Sequence, residues 1–287
     1  PIGHYEGNYC FQGKFMGNGK IIKNMTTVNN PTNGHAGLFG YVASATISNL
    51  TILDSTVTPA TTATTNSGAG AVVGTAVMSP YLCNLHAVNV TVSGNNGGVG
   101  GIVGRYSTSG QARICCSSLE GNSRVTATGS DRVLCSAGGI VGYAASNQST
   151  TYVDRCWNTA NPGGNAVTSS YGSAGGIIGT SRSSMFIADC YNTASIQSSG
   201  TAWQGKPDWI GVGGIIGSYT YNNYKTGANT TCLSYCYNTG NVTASGTPSK
   251  NYPVCAGGIS GWSGGNIVHN AVYNYGVINA TNANSTN

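Results

Sequence analysis

Gly175-Gly176-Ile177-Ile178-Gly179, then Cys190-Tyr191-Asn192-Thr193, then the alternating Ser195-Ile196-Gln197-Ser198, is the stretch on which the fold turns. Each of these phrases returns elsewhere in the chain. The glycine phrase occurs seven times: Gly37-Leu38-Phe39-Gly40, Gly70-Ala71-Val72-Val73-Gly74, and five Gly-Gly-Ile-x-Gly copies closing at Gly104, Gly142, Gly179, Gly217 and Gly261. The closing glycines lie 34, 30, 38, 37, 38 and 44 residues apart, as in coils that keep one frame and carry loops of variable length. The second phrase recurs as Cys156-Trp157-Asn158-Thr159, as Cys236-Tyr237-Asn238-Thr239 and, without cysteine, as Val272-Tyr273-Asn274-Tyr275. Asn241-Val242-Thr243-Ala244 is a copy of the third.

Each unit therefore holds about three short strand-like pieces parted by turn residues, with no continuous helical stripe. One unit cannot bury its apolar side alone, but units stacked at the ~4.8 Å strand spacing line a shared interior with Val, Ile, Leu and aromatic side chains. The expected fold is an all-β parallel β-solenoid (β-helix) of about seven or eight coils, three short strands per coil. It forms one domain over residues 1–287, with an opening, capping coil at 1–35, repeated coils at 36–283 and a tail at 284–287. Glycines at one register are expected where the tube is narrow or turns sharply, through φ > 0 or close backbone approach. Asn at repeated positions is expected to stack its amides into a ladder. A β-sandwich gives no reason for the same words to return. Neither end shows an obvious polar or helical cap.

Composition points the same way. Of 287 residues, 44 are Gly, 31 Asn, 31 Ser and 32 Thr, and only 7% are charged, a balance that disfavours helices. A hydrophobic content of 39% with 17 Tyr is enough to build a core. The net charge of +5 is spread thinly, with Arg105, Arg113, Arg124, Arg132 and Arg155 arriving singly among neutral residues. That argues against a nucleic-acid face. No run approaches the ~20 apolar residues of a membrane span. A start at Pro1 fits a processed chain or part of a longer one.

The opening Phe11-Gln12-Gly13-Lys14-Phe15-Met16-Gly17-Asn18-Gly19-Lys20-Ile21-Ile22-Lys23-Asn24-Met25, followed by Ala36-Gly37-Leu38-Phe39-Gly40-Tyr41-Val42 and Ala45-Thr46-Ile47-Ser48-Asn49-Leu50, resembles the first coil of GLUG-motif repeat proteins. The later glycine and Cys-Tyr-Asn-Thr phrases resemble that family's inner repeats. The resemblance covers residues 11 to about 280. It implies a right-handed solenoid in a secreted or surface protein, such as an adhesin or the non-catalytic region of a surface protease. Met16 stands where the family usually has an acidic residue, and ten cysteines exceed the usual bacterial number.

All ten cysteines are disulfide candidates: Cys10, Cys83, Cys115, Cys116, Cys135, Cys156, Cys190, Cys232, Cys236 and Cys255. An even count in so uncharged a chain suits an oxidising compartment. Cys116, Cys156, Cys190 and Cys236 fall near equivalent places, so bridges between neighbouring coils are expected there, with a column of buried thiols as the alternative. Cys135 and Cys255 suggest a second column, and Cys10 with Cys83 a seal on the first coils. Sequons at Asn24, Asn49, Asn89, Asn147, Asn229, Asn241, Asn279 and Asn284 are glycosylation candidates under a eukaryotic secretory route.

No catalytic residue, metal or cofactor is expected. Cys83-Asn84-Leu85-His86 and the Cys232/Cys236 pair lack a second matching ligand pair. The glycine runs lack the strand-to-helix context and the Lys-Ser/Thr of a phosphate loop. The acidic residues are Glu6, Asp54, Glu120, Asp131, Asp154, Asp189 and Asp208, too few and too offset for two-carboxylate chemistry. The four histidines, His4, His35, His86 and His269, lie in different phrases without a triad context. Trp203, Trp209, Tyr219, Tyr221 and Tyr224 are candidates for assembly or binding contacts in unit-specific loops. The reading that follows is a non-enzymatic, secreted or surface structural protein, a disulfide-reinforced subunit of a filament, sheath or appendage. Its expected partners are other copies or other surface structural proteins, and N-linked glycans on the sequons. An adhesin or a module binding glycan or protein through its loops is the alternative.

Overall fold

The structure is a computed structural model and describes residues 1–4, 9–28, 34–58, 67–95, 97–129, 135–146, 149–201, 210–220, 230–247 and 253–282. Inward apolar residues alternate with outward polar ones over short spans, and every such span becomes a strand. One coil shows the plan: Ala174–Gly175, Ile178–Arg182, Met185–Ala188, Tyr191–Asn192 and Ser195–Thr201. Each of these pairs in parallel with its counterpart one coil earlier and one coil later. The result is four sheets of 6, 7, 13 and 8 strands. In the order the chain meets them they are the first sheet (with Gly175), the second (Ile178), the third (Met185 and Tyr191) and the fourth (Ile196). The eight strands of the fourth sheet count eight coils, a rod of roughly 34 Å from first to last at the ~4.8 Å strand spacing.

The interior is built of columns. Val57, Val92, Val125, Val167, Ile196 and Val242 follow one another up the fourth sheet. Ile47, Leu82, Ile114, Val153, Ile187 and Leu233 do so up the third. All are essentially inaccessible to solvent. The all-β parallel solenoid is therefore the fold, and no helix occurs among the described residues.

The coil is more finely divided than three strands. The third sheet bends at a column of left-handed residues, Asn49, Asn84, Cys116, Arg155, Asp189, Tyr235 and Ala271, with φ between 50° and 57°. The residue after the bend points inward, and where it is Ser or Cys it donates to the carbonyl two residues back. Ser117 Oγ reaches Cys115 O at 2.9 Å, Cys156 Sγ reaches Asp154 O at 3.4 Å, Cys190 Sγ reaches Ala188 O at 3.2 Å and Cys236 Sγ reaches Ser234 O at 3.3 Å. The same atom accepts a backbone N–H from the coil before: Leu85 to Ser117 at 3.2 Å and Cys156 to Cys190 at 3.5 Å. At the next corner Ser55 donates to Leu53 O and Ser123 to Glu120 O, and they accept the N–H of Met25 and Val90 from the coil before. These side chains supply partners that the turn takes from the ladder.

The repeated glycines owe their place to close approach. A Cβ on Gly100, Gly138, Gly175 or Gly213 would collide with the carbonyl of Val103, Val141, Ile178 or Ile216. The positive-φ glycines lie elsewhere, at Gly97 and Gly121 for example, so the expected φ > 0 does not explain the phrase. The second glycine serves the asparagine ladder. Asn192 donates to Asn238 and Asn238 to Asn274, both at 2.7 Å, while the same amides also reach Ala194 O and Gly240 O at 2.8 Å. A Cβ on Gly176, Gly214 or Gly258 would overlap Asn192, Asn238 or Asn274.

The two ends differ. At the first coil Phe11 and Phe15 pack on Phe39, ring centroids 4.9 and 5.3 Å apart, as an apolar plug. In the eighth coil Ser260 continues the column of Ile178 and Ile216, His269 continues that of Leu233, and the two side chains meet at 3.4 Å. Two interior columns thus end in polar residues, a cap the sequence reading had not found.

Candidate functional site on the outer face of the third sheet

The third sheet carries stacked aromatic rings on its outer face. On one side of its bend Trp157, Tyr191, Tyr237 and Tyr273 occupy one outward column. Trp157 and Tyr191 stack at 6.2 Å with 7° between planes, and Tyr191 and Tyr237 at 5.0 Å with 2°. Across the bend, Tyr152 and Phe186 sit in register, 6.1 Å apart, and Val268 continues outward two coils on. Tyr235 and Tyr275 stand highly exposed, at 64% and 77%. Because the stacked rings cover one another's faces, this column shows solvent ring edges and hydroxyls. Sugar stacking needs open ring faces, whereas edges and hydroxyls suit a protein surface.

Before the ladder, in coils two to five, lies a polar chain. Asn84 Nδ2 donates to Asn49 Oδ1 at 2.8 Å, which turns Asn84 Oδ1 toward His86 Nε2, also at 2.8 Å. His86 Nδ1 lies 2.7 Å from Ser118 Oγ, Ser118 Oγ donates to Glu120 Oε1 at 2.5 Å, and Trp157 Nε1 donates to the same oxygen at 3.2 Å. Burial lowers the His86 pKa, opposed by the Glu120 carboxylate. The structure thus brings a serine, a histidine and an amide into a line that the sequence had shown no sign of, because register across coils, not spacing along the chain, aligns them. Ser118 is fully buried between its column neighbours His86 and Trp157, so its hydroxyl is shielded from an incoming substrate.

Across the bend, Cys83 of the third coil is bonded to Cys115 of the fourth, Cα atoms 4.6 Å apart. This is a staple between neighbouring coils, and it differs from the expected pairings. Cys116 occupies the left-handed bend itself, one residue before the Ser117, Cys156, Cys190, Cys236 column, and does not belong with those thiols. Cys156, Cys190 and Cys236 carry buried thiols, already committed to corner carbonyls; burial, with the Cys156 contact, pushes the Cys190 pKa far up. Cys135, pushed up to about 12 by burial, aligns through the first sheet with Val254 rather than Cys255, which shares a register with Gly211. Cys10 accepts a hydrogen bond from Gln12 at 3.2 Å and is not bonded to Cys83. Cys232 lies on the outward column with Phe186, whereas Cys236 points inward, so their spacing makes no ligand pair.

Asp154, also on this face, holds Arg113 in a two-pronged pair at 2.8 and 2.9 Å and Arg155 at 3.0 Å. Burial raises its pKa, but the hydrogen bonds and charges of the two guanidiniums win and lower it. Asp189 sits at the bend one coil later. Of the other sequence-derived candidates, Tyr219 is fully buried and is no surface contact; its position in a second-sheet strand turns it into the core. Trp203, Trp209, Tyr221, Tyr224, Asn147, Asn229 and Asn284 lie outside the described residues, as do Glu6, Asp131, Asp208 and Arg132. Asn24, Asn49 and Asn89 are left-handed corner residues. Asn89 Nδ2 is engaged by Asp54 at 3.0 Å, and Asn241 and Asn279 are exposed.

The chain matches no protein-family profile and no curated protein. It is similar to a crystal structure at 1.30 Å of a Bacteroides ovatus protein provisionally named an immunoglobulin A1 protease. That likeness covers 93% of this chain and 70% of the other at 18% identity, with a TM-score of 0.54. It shows the fold alone. It also corrects the expectation that the chain is not an enzyme: a protein of this fold carries a protease name, and scarce acidic residues speak only against two-carboxylate chemistry.

Proposed function

We propose that the chain is an extracellular structural β-solenoid of the GLUG-repeat kind, a unit of a surface filament, sheath or appendage that packs against second copies of itself through the outer face of the third sheet. The carrying observation is the aromatic ladder from Trp157 to Tyr273 with the exposed Tyr235 and Tyr275 beside it. Its charges are of mixed sign, Arg113 and Arg155 around Asp154 with Glu120, Asp189 and Lys14 elsewhere on the face, so it has no strong bias toward a charged partner. The aromatic part spans coils five to eight, roughly 19 Å by ~26 Å or about 500 Å², so an interface of the stable size of ~800 Å² per partner also takes in the polar coils before it. The Ser260–His269 cap favours this lateral contact over end-to-end stacking. The Cys83–Cys115 bond supports an oxidising, extracellular location. In sedimentation velocity at rising concentration, the wild type is expected to associate and Tyr237→Ser/Tyr273→Ser to stay monomeric. Equal monomers throughout would overturn self-packing and leave the face to a different protein, as in an adhesin.

The name of the Bacteroides ovatus protein favours a second reading, peptide-bond cleavage. Hydrolysis of immunoglobulin A by the purified chain would support it, and intact immunoglobulin A after prolonged incubation would remove it; the shielded Ser118 beside His86 is not the nucleophile such a reading needs.

A further inference from the structure

Beside the one disulfide stands a third thiol. The Sγ atoms of Cys83, Cys115 and Cys116 all lie within 4.8 Å of one another. Cys83 and Cys115 are bonded, and Cys116 keeps a half-buried thiol. The left-handed bend puts Cys116 on the column of Asn84 and Arg155. Two guanidiniums feel its charge: the Cys116 thiolate is among the groups raising the pKa of Arg113 and of Arg155. They oppose a divalent ion, and a disulfide sulfur is a poor ligand. An electrophilic bond, a nucleophile and its cationic surroundings therefore share one corner of the third sheet.

We propose that Cys83, Cys115 and Cys116 form a thiol–disulfide exchange centre, in which Cys116 passes the bridge between its own coil and the coil before. Cys116 loses its proton to water and its sulfur attacks Cys83 Sγ. The Cys116–Cys83 bond forms as the Cys83–Cys115 bond breaks, and Cys115 leaves as a thiolate that takes a proton from water. No electron is gained or lost overall, so the step needs no oxidant or reductant. Both isomers keep the third and fourth coils stapled. What changes is which sulfur is free: the half-buried Cys116 or the buried Cys115, whose sulfur lies 3.7 Å from Tyr81 Oη.

The test uses the intact chain, incubated under argon at about pH 8.5, where the thiolate is abundant, then quenched in acid, alkylated and mapped by fragment-ion mass spectrometry. Label is expected on both Cys116 and Cys115, rising on Cys115 to a constant share. Label confined to Cys116 at every time would overturn the proposal. Cys116→Ser is expected to keep Cys83–Cys115 with no labelled Cys115.

Discussion

Coils two to four and coils five to eight share one backbone and fill it differently. In coils two to four the position facing the glycine phrase holds Ile52, Ala87 and Leu119; in coils five to eight it holds Asn158, Asn192, Asn238 and Asn274. The first half packs hydrocarbon there and elsewhere buries His35 against Thr75 and Tyr41, with Arg105 over the Tyr143 ring. The second half runs neutral ladders of amides and thiols, with an aromatic ladder on its outside. The backbone therefore asks only for shape and a satisfied hydrogen bond at each register, and the two halves meet that demand by burial and by side-chain pairing respectively.

The largest expected effect comes from removing the space that the amide ladder needs. Gly176→Ala would drive a methyl into Asn192 and a neighbouring carbonyl, and is expected to cost about 4 kcal/mol, at the upper end for overpacking. The equivalent register of coil three already carries Ala71, whose N–H bonds to the carbonyl of Gly101, the next residue in that column. Ala71→Gly is expected to cost about 1 kcal/mol. Urea unfolding of both variants measures the contrast, and equal losses would erase it.

Exchanging the fillings gives the next effect. Asn192→Leu strips Ala194 O of its side-chain donor and Asn238 Oδ1 of one of its two, the Gly240 N–H remaining, and the loss in the interior amounts to about 2 kcal/mol. Leu119→Asn loses buried hydrocarbon but lies directly before Asn158 in the ladder's register. A new amide bond there offsets most of the loss, leaving about 1 kcal/mol. Thermal unfolding should rank the two in that order; a reversed order would mean that the ladder contributes less than the hydrocarbon it replaces.

The two halves should also part on acidification. His35 Nδ1 contacts Thr75 Oγ1 at 2.8 Å, its ring lies against Tyr41, and burial with the charge of Arg105 lowers its pKa from 6.5 to about 4. In that window the unfolded chain binds a proton that the folded one refuses, so stability falls as pH falls from 6.5 toward 4. The expected loss is about 2 kcal/mol between about pH 6.5 and about pH 4.5. Hydrogen exchange should show it as faster opening of coils two to four, with coils five to seven less affected, and His35→Gln should flatten the dependence. Uniform opening along the rod would contradict this division.

What the sequence disclosed and what it hid follow from the same geometry. Inward columns were legible because each coil repeats its phrase, and Gly-Gly-Ile with Cys-Tyr-Asn marks both partners of the amide ladder. Three of the eight sequons, Asn24-Met25-Thr26, Asn49-Leu50-Thr51 and Asn89-Val90-Thr91, also have a structural origin: a left-handed Asn, an inward apolar residue and an outward Thr are what a corner selects. The Cys83–Cys115 bond and the His86–Ser118 contact were hidden because their coils carry no recurring phrase at those positions, and only the register shows which residues lie side by side. Cys116 was misassigned for a related reason: it lies one residue from the cysteine column, and a one-residue shift exchanges a corner for the interior.

That register makes the smallest prediction the most specific. If Cys190 serves the corner as Ser117 does, donating to a carbonyl two residues back and accepting an N–H from the coil before, then Cys190→Ser keeps both bonds. Its shorter reach trades against a stronger donor, and the expected change is within about 1 kcal/mol. Cys190→Ala keeps the volume nearly as well but leaves Ala188 O and Cys156 N–H without this partner, for about 2 kcal/mol. A thiol column held together mainly by sulfur packing predicts the opposite ranking, because alanine leaves the interior apolar and serine does not. Paired denaturant titrations of the two variants therefore decide whether the second half of the rod holds its cysteines as hydrophobes or as hydrogen-bonding corner posts.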